Sequence, residues 1–227
     1  MKKKVLSIIL CLMLVWSLFP LAAWADETPT AAEHTRAGYD VVWSESFEGG
    51  ALPEGWSIED KDGDGRNWSV KNKENNAAIC DHGDWCINSY SYENGYGPLT
   101  PDNWLYLPQQ NLAANKEYVL TFMMTAQDES ACRDKIGVYI SSDGTDYTQL
   151  GGDYATTDEW REIAVDLSAY SGKNIKIALV HHNSTDFFAV NLDCIYLWSK
   201  DDKISVALPA AATGLVYNGD EQDSGIA

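Results

Sequence analysis

Apolar and polar residues alternate along this chain in short runs, and the runs predict strands. In Tyr39-Asp40-Val41-Val42-Trp43-Ser44-Glu45-Ser46-Phe47-Glu48, a two-residue period sets Tyr39, Val41, Trp43 and Phe47 on one face. This is a first strand, and Gly49-Gly50 ends it. The turn Leu52-Pro53-Glu54-Gly55-Trp56 delivers Trp56 into a short strand, and Trp68-Ser69-Val70 reads as another. The pattern weakens over residues 71–84, a loop bearing Asn, Asp and Gly, before a short strand at 86–90. The turn Pro98-Leu99-Thr100-Pro101 feeds a strand at 104–107, and stronger strands are predicted at 118–124, 135–141, 160–167, 174–181 and 187–198. Turns such as Ser142-Asp143-Gly144 and Ser171-Gly172-Lys173 separate them. Without a convincing amphipathic helix, this series predicts an all-β antiparallel sandwich, with a barrel as the alternative.

The ends of the chain differ from its middle. Lys2, Lys3 and Lys4, an apolar run over residues 5–21 and Ala23-Trp24-Ala25 have the form of a secretory signal over residues 1–25. A retained membrane anchor is the competing reading, and Pro20 and the A-x-A motif favour removal, after which no membrane insertion is expected. Residues 26–38 read as a flexible leader, 39–200 as one β domain with a core of its own, and 201–227 as a compositionally distinct tail. The 34 acidic residues against 16 basic ones give a net charge of −18, which repels phosphate backbones and excludes nucleic acid as a natural partner.

Candidate chemistry begins at Asp60-Lys61-Asp62-Gly63-Asp64-Gly65-Arg66-Asn67-Trp68. Carboxylates at alternate positions with a glycine to turn the backbone suit Ca2+, a hard cation that takes oxygen ligands. The stretch starts like an EF-hand loop, but Lys71 stands where that loop needs a bidentate Glu, so further ligands would have to come from elsewhere. A metal-free Asp/Gly surface turn is the competing reading. Beyond the signal, the cysteines are Cys80, Cys86, Cys132 and Cys194. A local Cys80–Cys86 bridge would leave Cys132 with Cys194, and four separate thiols are the alternative. No nucleophile motif, zinc motif or dinucleotide fingerprint is present, so catalysis is not expected. His181 and His182 are adjacent on a strand and should face opposite ways, one packed and one outward. Trp43, Trp104 and Trp198 read as core. Trp85, Tyr90, Tyr92 and Tyr96 lie in a Gly- and Asn-rich stretch, where they would either stack on a sugar or peptide or cap the end of the sandwich.

Several stretches in order resemble one family: Glu45-Ser46-Phe47-Glu48-Gly49-Gly50, Leu52 to Trp56, Asp60 to Trp68, Leu99-Thr100-Pro101-Asp102-Asn103-Trp104-Leu105, Asp166 to Lys173, and Asn191-Leu192-Asp193. This is similar to the cleaved-adhesin or choice-of-anchor J domain, known from the hemagglutinin/adhesin regions of gingipains and from secreted bacterial proteins. The resemblance implies a jelly-roll β-sandwich with structural calcium. It also implies adhesion to a host or matrix protein or a glycan, at the surface of a bacterium or secreted from it. A carbohydrate-binding module beside an exported hydrolase is the alternative. Carried over, the family's acids fall on Glu48, on Asp60, Asp62 and Asp64, and on Asp193, and the expectation is that they enclose one ion. Cys194 departs from the family's second acid at that place. In the tail, residues 209–219 resemble the opening of a bacterial immunoglobulin-like repeat, which implies that 201–227 is a linker and the start of a truncated one.

Overall fold

The computed structural model describes residues 34–76 and 78–201. The expected signal and immunoglobulin-like start lie outside them. His34 to Gly38, assigned to the leader, are described: the His34 ring lies 5.5 Å from that of Tyr196, and Arg36 pairs with Glu162.

Fifteen strands follow in order: β1 (Asp40–Glu45), β2 (Ser57–Asp60), β3 (Ser69–Asn72), β4 (Trp85–Tyr90), β5 (Tyr92–Glu93), β6 (Gly97–Pro98), β7 (Asn103–Tyr106), β8 (Gln110–Asn111), β9 (Lys116–Ala126), β10 (Lys135–Ser141), β11 (Thr148–Gln149), β12 (Tyr154–Ala155), β13 (Arg161–Asp166), β14 (Asn174–His181) and β15 (Ala189–Asp201). Two sheets hold all but the β5–β6 pair. The first runs β13-β9-β15-β4-β3 with β1 on β15, and the second runs β11-β10-β14-β7-β2, with β12 on β10 and β8 on β14. Both are antiparallel throughout, and they form the expected jelly-roll β-sandwich.

Period-two side chains explain the core. Leu120, Phe122 and Met124 of β9, Ile163 and Val165 of β13, Ile136, Val138 and Ile140 of β10, Ile175, Ile177 and Leu179 of β14 and Leu105 of β7 all turn inward into one cluster. On β15 the alternation breaks. Val190 and Leu192 face inward, and so do Ile195 and Leu197, because the register against β9 shifts between Asp193 and Tyr196. Cys194 takes φ 46° in this bulge. Regular alternation would set Asn191, Asp193 and Ile195 on one face, but the bulge turns Ile195 into the core.

One further expectation changes. In β1 the register shifts between Val41 and Trp43, so Val41 is 48% exposed instead of sharing a buried face with Trp43 and Phe47. Trp198 is buried as expected, with Val119, Cys194 and Tyr196 on the outer face of the first sheet. Trp104 is covered by its neighbours on the outer face of the second sheet. The histidines divide as expected. His181 is fully buried, with Nδ1 2.8 Å from Ser89 Oγ and Nε2 3.1 Å from Asp134 Oδ1, while His182 turns outward to Asp153. All four described cysteines are free thiols: Cys80 and Cys86 share a small buried cluster with Ala78, whereas Cys132 donates to Glu129 O.

Leu192 is fully buried beside the bulge. Leu192→Ala is expected to cost about 2–5 kcal/mol of stability, read from the urea unfolding midpoint.

Candidate functional site

The sequence-derived ligand set separates into two groups. Asp60, Asp62 and Asp64 come together, with one carboxylate oxygen of each within 4.8 Å of the others. Their loop leaves β2, an edge of the second sheet, and enters β3, an edge of the first, so it crosses the open side of the sandwich. Asp60 folds the loop by accepting from Gly63 N at 2.7 Å and Gly65 N at 2.8 Å. Both glycines have positive φ, which suits the turn. Burial, then the hydrogen bond with Asp60 and the charge of Asp64, push the Asp62 carboxyl up to about 6.

Glu48 and Asp193 do something else. β15 changes partners at its bulge: residues 189–192 pair with β4 and residues 195–199 pair mainly with β1, which leaves a gap in the ladder. The turn at 79–85 fills that gap, and the two carboxylates hold it. Asp193 Oδ2 accepts from Asp81 N and His82 N, both at 3.0 Å, and Glu48 Oε1 accepts from Asp84 N at 3.1 Å and Trp85 N at 3.0 Å. Side-chain oxygens thus replace the missing strand as acceptors for the N–H groups of this turn. Gly83 is required at the tip: its φ is +58°, and a Cβ there would overlap the Glu48 carboxylate. Neither acid joins the Asp60–Asp62–Asp64 cluster, so the expectation of one shared ion is corrected to one three-acid group and one clamped turn. Asp193 is fully buried, and burial raises its carboxyl to about 7 despite the N–H donors.

The four aromatic residues proposed as a platform do not form one. Trp85 opens β4 with its ring packed against the core and close to Gly50, while Tyr90 closes the same strand against Phe188. Five residues apart on a strand, they face opposite ways at opposite ends, roughly 16 Å from each other. Tyr96 is 72% exposed, and the Arg66 guanidinium lies 3.8 Å from its ring centroid. Tyr92 sits in the β5–β6 pair.

A different aromatic face emerges on the second sheet. Trp104 is its centre, with ring centroids of Tyr139, Tyr147 and Tyr106 at 4.9, 5.5 and 5.7 Å. Two grooves adjoin these rings. One of about 820 Å³ is lined by Asp102, Trp104, Lys135, Tyr139, His182 and Asn183, among others, and one of about 540 Å³ by Glu59, Lys61, Tyr106, Tyr147 and Lys176, among others. The sequence carried a signal for this face: in Trp104-Leu105-Tyr106-Leu107 the rings and the leucines alternate, so rings buried on the core side would have expelled the leucines. The face is joined to the acidic loop. Asp62 Oδ2 accepts from Asp102 N at 3.2 Å, Asp102 Oδ1 accepts from Trp104 Nε1 at 2.7 Å, and the Lys61 ammonium lies 3.4 Å from the Trp104 ring centroid.

The cleaved adhesin domain model matches residues 40–197. The chain belongs to the cleaved adhesin domain family. Hemagglutinin A of Porphyromonas gingivalis is 31% identical over 188 residues, 74% of this chain, and gingipain R1 of the same organism is 34% identical over 171 residues, 66% of this chain. The matched stretches span only 8% and 10% of those proteins. Among solved structures, the K3 cleaved adhesin domain of Lys-gingipain from P. gingivalis superimposes with a TM-score of 0.61 at 31% identity, covering 71% of this chain and 99% of that domain. The K1 domain gives 0.59 at 32% identity, covering 70% and 98%. Among the described residues, no helix is long and apolar enough to cross a membrane.

Two predictions concern the clamped turn. Glu48→Ala leaves the N–H groups of Asp84 and Trp85 without their acceptor and is expected to cost about 1–3 kcal/mol, measured by thermal or urea unfolding. For Asp193, the folded carboxyl keeps its proton between the ordinary value of 3.8 and about 7, whereas the unfolded one releases it. Its contribution is therefore full below the lower value and lost as pH rises through the higher one. Stability measured across that window should fall with pH in the native protein, and Asp193→Asn should flatten the fall.

Proposed function

We propose that this chain is a non-catalytic adhesion module of an exported bacterial protein, which grips a protein or glycan of a host or matrix and is braced by calcium. The match to the cleaved adhesin domain over residues 40–197 carries the reading. The names of the relatives, hemagglutinin and gingipain, place such domains in longer proteins, and the amino-terminal pattern of lysines, apolar run and A-x-A supports export. The excess of acidic residues argues against nucleic acid as the partner.

The three-acid loop fits calcium by its donor chemistry. Its donor atoms are hard carboxylate oxygens within 4.8 Å of one another, and burial first, then neighbouring Asp60 and Asp64, raise the Asp62 carboxyl, a penalty on negative charge that a cation would relieve. Asp60, Asp62 and Asp64 would hold the ion, which would supply positive charge at a crossing between the two sheets. Glu48 and Asp193 stand outside that cluster, at the turn they clamp, and so are not placed to share its ion.

Calcium at a hundredfold excess over its Kd should add about 2.7 kcal/mol to the stability of the folded chain, seen as a rise in Tm that EGTA reverses. Asp62→Asn should remove most of this response. A melting curve indifferent to calcium, together with no heat of binding in calorimetric titration, would refute the brace. Failure of the native domain to retain any matrix protein or glycan in a binding array would refute the adhesion reading.

A further inference from the structure

We infer that the outer face of the second sheet, between Tyr139 and Tyr147, is a binding site for an uncharged, linear oligosaccharide. The inference rests on the adhesion reading and names the site and ligand class within it. Three observations carry it, and the first is shape. The grooves of about 820 and 540 Å³ border one cluster of rings, the first at Trp104 and Tyr139 and the second at Tyr106 and Tyr147, and each has the volume of a small-molecule cleft, whereas protein partners need a broad contact area.

The second is the arrangement of rings. Trp104 is 8% exposed and anchors the floor, while Tyr106, Tyr139 and Tyr147 around it are half-buried and offer ring surface to the grooves. Neighbouring centroids lie 4.9 to 5.7 Å apart with planes tilted by 31 to 78°, so ring edges as well as ring faces border the grooves, and the apolar C–H faces of a sugar chain can pack against both. Lys61 lies over Trp104 on a flexible stem and supplies an ammonium donor at the junction of the two grooves.

The third is charge. Although the whole chain has 34 acids and 16 bases, these grooves are lined by Lys61, Lys135 and Lys176 against Glu59 and Asp102. Lys135 and Lys176 have no ion-pair partner among the described residues. The lysines turn away a basic partner, and the net charge of −18 on the chain turns away a polyanion. A neutral polyhydroxylated chain fits both, since its hydroxyls can accept from Lys135 and Asn183 and donate to Asp102.

The test is calorimetric titration of the protein with hexamers of β-1,4-linked glucose, xylose, galactose and mannose, beside an array of sialylated and sulfated glycans and matrix proteins. Binding to at least one neutral hexamer is expected, weakened about tenfold in Tyr139→Ala and in Tyr147→Ala and unchanged in Tyr96→Ala, whose ring lies off this face. The thermal melts of these variants show whether they fold, and Tyr139→Phe, which keeps the ring, should retain most of the affinity. Neutral-glycan binding that survives both alanine variants would overturn the inference, as would binding lost only in Tyr96→Ala. Binding to acidic glycans or to matrix protein alone would overturn it while leaving the adhesion reading in place. Binding to nothing on the array would overturn both.

Discussion

The constraint on which the rest of this structure depends is the single irregularity in β15. This strand borders β9 along one side for most of its length and divides the other side between β4 and β1. A regular strand could not bury Val190 and Leu192 together with Ile195 and Leu197, because an odd step separates the two pairs. The bulge at Asp193 and Cys194 resolves the conflict by absorbing one residue, and Cys194 takes a left-handed backbone to do so. The same step opens the ladder between β4 and β1, and the turn at 79–85 is drawn in to close it. Core composition and loop position thus follow from one local departure.

Much of the fold was legible from alternation. Leu120, Phe122 and Met124, or Ile175, Ile177 and Leu179, can occupy one face only if the chain is extended, and their neighbours are mostly tolerant of an outer face. The bulges in β1 and β15 were not legible. Neither contains a glycine or proline to mark it; the residue with positive φ in β15 is a cysteine, and it is held there by pairing with distant strands. Trp104 and Trp198 are buried as expected, in clusters of their own on the outer faces of the sheets. Their burial comes from rings and long side chains stacked outside each sheet, and a two-residue period tells faces apart without saying which one is inner.

Carboxylates in this domain divide by their surroundings. Asp60, Asp62 and Asp64 were recognisable because a metal-type loop concentrates acids within a few residues. The roles of Glu48 and Asp193 depended on partners dozens of residues away, and those partners are backbone donors that leave no mark in sequence. Asp193, a buried acid among N–H groups, acts as a surrogate strand, whereas Asp60, Asp62 and Asp64 are acids gathered among acids. Residue type alone cannot distinguish the two, whereas position relative to the gap in β15 does.

The hydrogen bonds that Asp102 N donates to Asp62 and that Trp104 Nε1 donates to Asp102 form a short lever between the crossing loop and the outer aromatic face. The loop is anchored in the core by Trp68, and it ties the largest ring on that face to its own acids while Lys61 lies over that ring. Order at an apolar surface is here inherited from a polar segment, so a substitution in the loop can shift a ring that the loop does not itself contain.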